Sequence, residues 1–251
     1  MALDQSMIRW HEAAKTRFSV RKYIRDPSER DLDALKAAAE LLRARGVRIE
    51  ILSSEDVFRP MFLWYGKIKG VKTFAALIHD QSAMPESIGY IGEAFILECT
   101  ALGLGTCWLG GTFSRSKALE LVSLGANEKL SCIIPIGVPD EPYAERGRKS
   151  VEKLTGLSMD EFEALPDWQK HAITCARRAP SAVNRQPWKF LVDENSINVK
   201  NISYNYGYGR LDCGIAMLHI ELGAAHAGVY GEWRSTEHGS IFTPETAEIN
   251  G

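Results

Sequence analysis

The decapeptide Ala179-Pro180-Ser181-Ala182-Val183-Asn184-Arg185-Gln186-Pro187-Trp188 packs two prolines, a hydroxyl, two amides and an indole into one turn. A helix-like stretch from Trp168 to Arg178 must end near Ala179, because the residue before a proline is pushed out of the helical region. On the far side, Trp188-Lys-Phe-Leu-Val192 has the composition of a strand. Residue chemistry leaves two readings of the turn open. It is an ordinary helix-to-strand corner, or a rigid loop that grips a flat polar ligand.

Around it lies a chain of 251 residues, 45% hydrophobic and 25% charged, enough for one large domain or two small ones with a substantial core. A formal net charge of -2 provides no global positive field for nucleic acid or an anionic membrane, so neither partner is expected. Cys99, Cys107, Cys132, Cys175 and Cys213 form no CxxC pair and no zinc rhythm. Reduced, mostly buried thiols are the expectation. The first ten residues lack the basic start and apolar run of a signal peptide, and no apolar run approaches the ~20 residues of a membrane span, so a cytoplasmic protein is expected.

Leu32, Leu35, Ala39 and Leu42 share one helical face behind the start signal Pro27-Ser28, and Val47 to Leu52 alternates as a half-buried strand. Phe74–Ile78 and Cys132–Ile136 read as buried strands, with Pro135 demoting the second towards an edge or strand end. Gly92 to Leu104 is apolar nearly all round, its charges being Glu93 and Glu98, and Gly214 to Tyr230 has the same character with Glu221. Helices of that kind belong in a core or a subunit interface. Setting Glu98 beside Glu221 aligns Ala101 with Ala224 and Gly105 with Gly228. Each half also opens with an amphipathic helix and a strand. An internal duplication follows, with its junction near Gly156-Leu157-Ser158, giving halves 1–156 and 157–251 that form one compact unit.

Two basic clusters stand out in this acidic chain. Arg17-x-Ser19-x-Arg21 sets two guanidiniums about a hydroxyl, and Arg146-Gly-Arg148-Lys-Ser150 is a second compact group. Guanidinium suits phosphate, although either cluster alone also fits a solvated surface. His219 and His226 share a helix face without acidic or thiol partners, so core or interface histidines are expected and no metal site. There is no G-x-S-x-G elbow and no P-loop, and Gly103-x-Gly105 lacks the third glycine of a dinucleotide fingerprint.

Taken in order, Arg17-x-Ser19-x-Arg21, Ala101-Leu-Gly-Leu-Gly-Thr-Cys-Trp-Leu-Gly-Gly111, Arg146-x-Arg148 and Ala179-Pro-Ser-Ala-x-Asn-x-Gln-Pro-Trp188 resemble the FMN-dependent nitroreductase family, over Thr16 to about Arg234. The resemblance implies an α+β nitroreductase-like fold, a mostly antiparallel sheet flanked by helices. It also implies an FMN held in a groove between the subunits of a homodimer. A typical member carries its Pro-Ser-x-x-Asn loop soon after the Arg-x-Ser-x-Arg motif, whereas here the loop follows Arg146-Gly-Arg148. That order is similar to the fused, duplicated single-chain branch, the TM nitroreductases, in which a monomer acts as a pseudo-dimer with one complete FMN site.

The same resemblance assigns roles. Arg17, Ser19 and Arg148 would hold the FMN phosphate, with Arg146 alongside; Arg21 would lie at the N1 and O2 edge. Pro180, Ser181 and Asn184 would contact the ring with Gln186 behind them, and Leu109, Gly110 or Gly111 would offer a backbone N–H to N5. Lys67 or Lys69 would add a contact near the pyrimidine edge. A fixed cation near N1 favours the reduced flavin. The chemistry is the cofactor's, so no catalytic side chain is assigned. The implied activity is hydride transfer from NAD(P)H through flavin to a nitroaromatic, quinone or flavin acceptor, a small molecule. A non-turnover FMN-binding sensor or store, and a scaffold that has lost its ligand, are the alternatives. Phe62–Tyr65 and Tyr204–Tyr208 are candidate walls for the acceptor.

Overall fold

In the computed structural model, residues 3–59, 67–237 and 239–245 are described. The candidate wall at Phe62–Tyr65 lies outside them. By its internal contacts the chain divides into two units, Thr16–Arg146 on the one hand and Met1–Lys15 with Gly147–Gly251 on the other. The division falls at 146/147 and not at 156/157, and the first helix, α1 (Leu3–Thr16), belongs almost wholly to the unit that holds the C-terminal segment. There His11 stacks on His226 at 4.0 Å, and Arg178 Nη1 reaches the Lys15 carbonyl at 3.5 Å.

The Thr16–Arg146 unit begins with β1 (Tyr23–Arg25) and α2 (Glu29–Leu41). Ser28 starts α2 through a capping box in which it and Asp31 satisfy each other's backbone N–H. The expected face is the one that turns inward: Leu35 and Ala39 are buried. β2 (Val47–Ser53) and β3 (Thr73–Asp80) pair in register from Val47↔His79 to Ser53↔Thr73. β3 is a central strand buried on both faces. Phe74, Ala76 and Ile78 join a core with Val57, Phe58 and Ile133, while Leu77 points at Gly92. Full burial of each large side chain is worth about 1.5–3 kcal/mol.

The apolar helix is α3 (Pro85–Ala101), which starts about two turns before the expected Gly92 because Pro85 opens it at a position where a missing N–H costs nothing. β4 (Gly105–Thr106), α4 (Arg115–Leu119) and β5 (Glu128–Pro139) complete the unit. Of the two expectations for β5, the edge strand is excluded, since it pairs with β3, β4 and β1, and Pro135 lies at the end of its ladder with β3. Pro135 is tolerated because it stands on the last rung against β3, opposite Phe74, where β5 passes to its other partners: Ile136 pairs with Thr106 and Gly137 with Gly105.

The other unit adds two short helices, α5 (Val151–Thr155) and α6 (Met159–Glu163), then α7 (Asp167–Ala176), β6 (Trp188–Asp193), β7 (Ser196–Asn201), α8 (Gly209–His226), β8 (Gly231–Thr236) and β9 (Gly239–Pro244). Trp188, Phe190 and Phe242 are fully buried. Gly223 brings α8 against α7, since a Cβ there would stand 2.4 Å from the His171 carbonyl.

Each unit by itself follows the same plan of helix, hairpin, long apolar helix and two further strands. The antiparallel order is β2-β3-β5-β4 in one and β6-β7-β9-β8 in the other. The long helices end alike. Gly103 and Gly228 both adopt φ +78°, and Leu104 N–H and Val229 N–H return to the carbonyls of Cys99 and Ala224. These caps pair Gly103 with Gly228, two residues away from the Gly105–Gly228 pairing read from sequence. They also align Trp108 with Trp233, each of which donates its indole N–H to a glutamate of its own long helix, Glu93 or Glu221.

Candidate functional site

In the Thr16–Arg146 unit the basic motif is tied down by backbone. Val20 N–H donates to the Thr106 carbonyl at 2.9 Å, and Ser19 bridges to Thr106. The approach needs glycine at 105, where a Cβ would meet the Val20 side chain at 2.7 Å. Arg17 is thereby drawn inside and is only 9% exposed. Its Nε stands 3.7 Å from Oε1 of Glu93, a fully buried carboxylate whose Oε2 accepts the Trp108 indole N–H at 2.8 Å.

Arg17 Nε and Nη1 are buried without a hydrogen-bond partner, and so is Arg21 Nε. Buried charged donors left without a hydrogen bond are costly, and for Arg17 the ion pair with Glu93 offsets part of that cost. Arg21 Nη1 reaches the Ser19 carbonyl at 3.3 Å and its N–H reaches Glu141 Oε1, also at 3.3 Å. The Cys107 thiol donates to the Trp108 carbonyl at 3.7 Å, and burial raises its pKa against the lowering influence of Arg21, Arg17 and Ser19. Lys69 pairs through its backbone with Arg21 and Tyr23, which brings the exposed Lys67 into the same neighbourhood. Leu109 is buried and its N–H is engaged by the Ile133 carbonyl at 3.0 Å, which leaves Gly110 and Gly111 as the candidates for an N–H donor. Arg146 is exposed at the end of this unit.

In the other unit the Pro180 loop is no simple corner. Ser181 stays extended, then Val183, Asn184 and Gln186 take φ of +47°, +58° and +49°. For a β-branched residue such as Val183 that conformation is a genuine outlier. A dense polar web sustains it. Arg148 Nη1 donates to Asn184 Oδ1 at 2.6 Å and its Nη2 to the Arg178 carbonyl at 3.0 Å, while Asn184 Nδ2 donates to the Gly147 carbonyl at 2.9 Å. Gln186 is buried, accepts from Lys149 N–H at 2.8 Å and donates to the Asn184 carbonyl at 3.0 Å. The Ser181 hydroxyl accepts from Gln186 N–H at 2.8 Å. Arg148, Asn184, Ser181 and Gln186, read from two distant motifs, are thus brought together.

Sequence reading missed Glu93, Trp108, Lys149, Asn205 and Asp212, which hold these groups. A charged residue inside an apolar helix was the available signal for Glu93. Nothing marked Asp212. His219 is fully buried with Nδ1 3.8 Å from Cys175 Sγ, and all five cysteines are free and buried. Among the described residues no group of His, Cys, Asp or Glu is arranged to hold a metal ion, and no helix is long and apolar enough to cross a membrane.

Residues 10–224 match the family model described as "Putative TM nitroreductase". The chain belongs to this family. Among solved structures it resembles a "putative nitroreductase" of Thermotoga maritima MSB8, with 22% identity, 93% of each chain covered and a TM-score of 0.67, which shows the TM nitroreductase family fold. A second likeness is to an FMN-dependent nitroreductase of Clostridium difficile R20291, at 20% identity over 57% of this chain and 92% of that one, with a TM-score of 0.43. A third is to a nitroreductase family protein of Clostridium difficile 630, at 17% identity over 60% of this chain and 97% of that one, with a TM-score of 0.47. No curated protein gives a significant match.

Proposed function

We propose that this TM nitroreductase family member is an FMN-dependent oxidoreductase that takes hydride from NAD(P)H and reduces a small organic acceptor, a nitroaromatic, quinone or flavin. The observation that carries the reading is the set of buried guanidinium donors on Arg17 and Arg21 that make no hydrogen bond. They fit an anionic oxygen, as the phosphate and the N1 and O2 edge of FMN would present. When bound, FMN would supply the redox chemistry.

The chain's own residues bind and orient. Arg17 and Ser19 would hold the phosphate with Arg148 and Arg146, and Arg21 would favour added negative charge on the ring. Pro180, Ser181 and Asn184 would contact the ring from a loop that Gln186 braces from behind. Gly110 or Gly111 would donate a backbone N–H, and Lys67 would stand near the pyrimidine edge. The buried Glu93 would keep Arg17 in place and offset part of its charge.

We also read the chain as an internal duplication in which a monomer does the work of a dimer. The shared strand order of the two units and their matching helix caps support this.

Equilibrium binding of FMN to the purified full chain, followed by anaerobic addition of NADH and NADPH, tests the function. One FMN per chain, bleached by one of the donors, is the expected result. Bound FMN that neither donor reduces would replace the enzyme by a sensor or store. Absence of flavin binding would overturn the reading.

A further inference from the structure

The turns at 181–186 and 204–207 are joined from behind. Asn205, 5% exposed, donates its side-chain amide to the Ala182 carbonyl at 3.2 Å and to Asp212 Oδ2 at 2.6 Å, and Asp212 also accepts the Ala182 N–H at 3.1 Å. Of six non-glycine residues with positive φ among the described residues, five lie on these turns: Val183, Asn184, Gln186, Asn205 and Tyr206.

The five fall into two groups. Asn184, Gln186 and Asn205 carry amides that the surrounding polar web engages, and asparagine tolerates the left-handed region through such local hydrogen bonds. Val183 and Tyr206 are different. At φ +47° and +57° they hold branched or bulky side chains where glycine would be free of strain. Those side chains are 44% and 63% exposed, so burial returns little for the strain. Backbone strain that persists in this way clusters where ligands are held.

Tyr206 is also fixed in place. Arg185 Nη2 donates to its hydroxyl at 3.3 Å, and the guanidinium carbon stands 5.3 Å from the ring centroid. A flat stack would bring the two planes to about 3.5–4 Å, so the cation sits towards the hydroxyl end and leaves much of the π face open. Both side chains are exposed, and among the described residues no carboxylate pairs with Arg185. Tyr204, 81% exposed, extends the aromatic surface; its hydroxyl lies beside Gly207, where a Cβ would stand 3.3 Å away.

We propose that Tyr206 and Arg185 form the subsite for the electron acceptor, and that it selects a planar aromatic molecule carrying an anionic group. The ring of the acceptor lies on the open face of Tyr206, and its anion extends past the phenol oxygen to the guanidinium. Aromatic rings prefer such offset stacks, and a guanidinium fork matches a carboxylate through two parallel hydrogen bonds. Of the five N–H donors of Arg185, one is engaged by Tyr206 and the rest face solvent. The Asn205–Asp212 brace is what brings these two residues, 21 positions apart, to one place.

The inference rests on the flavin reading above, in which Asn184, next to Arg185, would contact the flavin ring. Steady-state reduction by the FMN-loaded full chain is compared for p-nitrobenzoate and p-nitrobenzamide, which share a ring and differ in charge. Wild type should favour the benzoate in kcat/KM, and Arg185→Gln should lower that preference by about two- to fivefold, the worth of an exposed ion pair, through KM. Arg185→Lys keeps the charge without the fork and should restore part of it. Tyr206→Leu should lower kcat/KM for both acceptors by about two- to tenfold, as loss of an aromatic stack implies. An unchanged preference in Arg185→Gln, or full activity of Tyr206→Leu with both acceptors, would overturn the proposal. So would a raised KM for NADPH in place of p-nitrobenzoate, which would give the pair to the donor. Saturation-transfer NMR on the flavin-free full chain supplies a second readout: transfer to p-nitrobenzoate should exceed that to p-nitrobenzamide and should fall in Arg185→Gln and Tyr206→Leu. Failure of the wild type to bind FMN overturns the flavin reading. In that case, or if FMN binds and neither nitroarene is reduced, the NMR comparison decides the subsite, and equal transfer from wild type and both variants overturns it.

Discussion

The guanidinium of Arg17 stands 3.7 Å from the carboxylate of Glu93, both side chains nearly closed off from solvent. Removing one member of a buried pair leaves the other charge uncompensated, at about 3–5 kcal/mol. Glu93→Gln should therefore lower the unfolding free energy by about that much in urea titration. Glu93→Gln combined with Arg17→Met should recover most of it. A fully additive double variant would show that the two side chains do not act as a pair.

Trp108 and Trp233 repeat one bond in two settings. Each donates its indole N–H to a glutamate, at 2.8 Å to the buried Glu93 and 2.9 Å to the half-buried Glu221. Hydrogen bonds to charged groups are worth about 1.5–3 kcal/mol, and solvent weakens them. Trp108→Phe should cost within that range, whereas Trp233→Phe should cost clearly less. Equal losses in chemical denaturation would contradict the difference in burial.

For cofactor binding, Arg17→Ala and Asn184→Ala should each weaken FMN, the arginine more. Loss of a charge-assisted contact of about 1.5–3 kcal/mol corresponds to roughly 10- to 150-fold in affinity. Asn184 acts mainly through the loop, since Arg148 and Gly147 already engage its amide. Its effect should therefore shrink in the Arg148→Ala background, a coupling that fluorescence titration of a double-mutant cycle would reveal.

Acid should loosen α1. Burial, then the neighbouring His226 and Lys15, lower the His11 pKa from 6.5 to about 4. Because the folded value lies below the unfolded one, the protein is favoured above pH 6.5 and loses that stability as pH falls through about 4. The slope per group is at most about 1.4 kcal/mol per pH unit. Asp212 has the opposite sign: its raised pKa adds stability below 3.8 that is lost as pH rises through about 7. The difference between wild-type and His11→Gln stability across pH 4 to 7 isolates the histidine. A constant difference would rule out its titration.

Much of the fold was legible because periodicity is a local property. The α2 face, the alternation of β2 and the apolar run of β3 appear as the sequence predicts, and the family resemblance agrees with the matched family model. Ends were less legible. Pro135 left an edge strand and a strand end both open, and which of them holds depends on which neighbour strand faces that rung. The Gly105–Gly228 pairing was two residues out because glycine identity does not reveal which glycine is the left-handed cap. Of the candidate site, the motifs named the arginines and the strained loop, while their supports stayed hidden: a buried glutamate or aspartate reads like any surface acid until its neighbours are known.

By itself, the sequence determined the family and the mixed helix and strand character, because these follow from local spacing and from motifs. The tertiary structure alone decided which donors at Arg17 and Arg21 make no hydrogen bond, that Arg148 and Asn184 hold each other, and that Asp212 joins two strained turns. Burial and hydrogen-bond satisfaction are properties of groups 30 or more residues apart in the chain, as Ala182 and Asp212 are. No window along the sequence contains them.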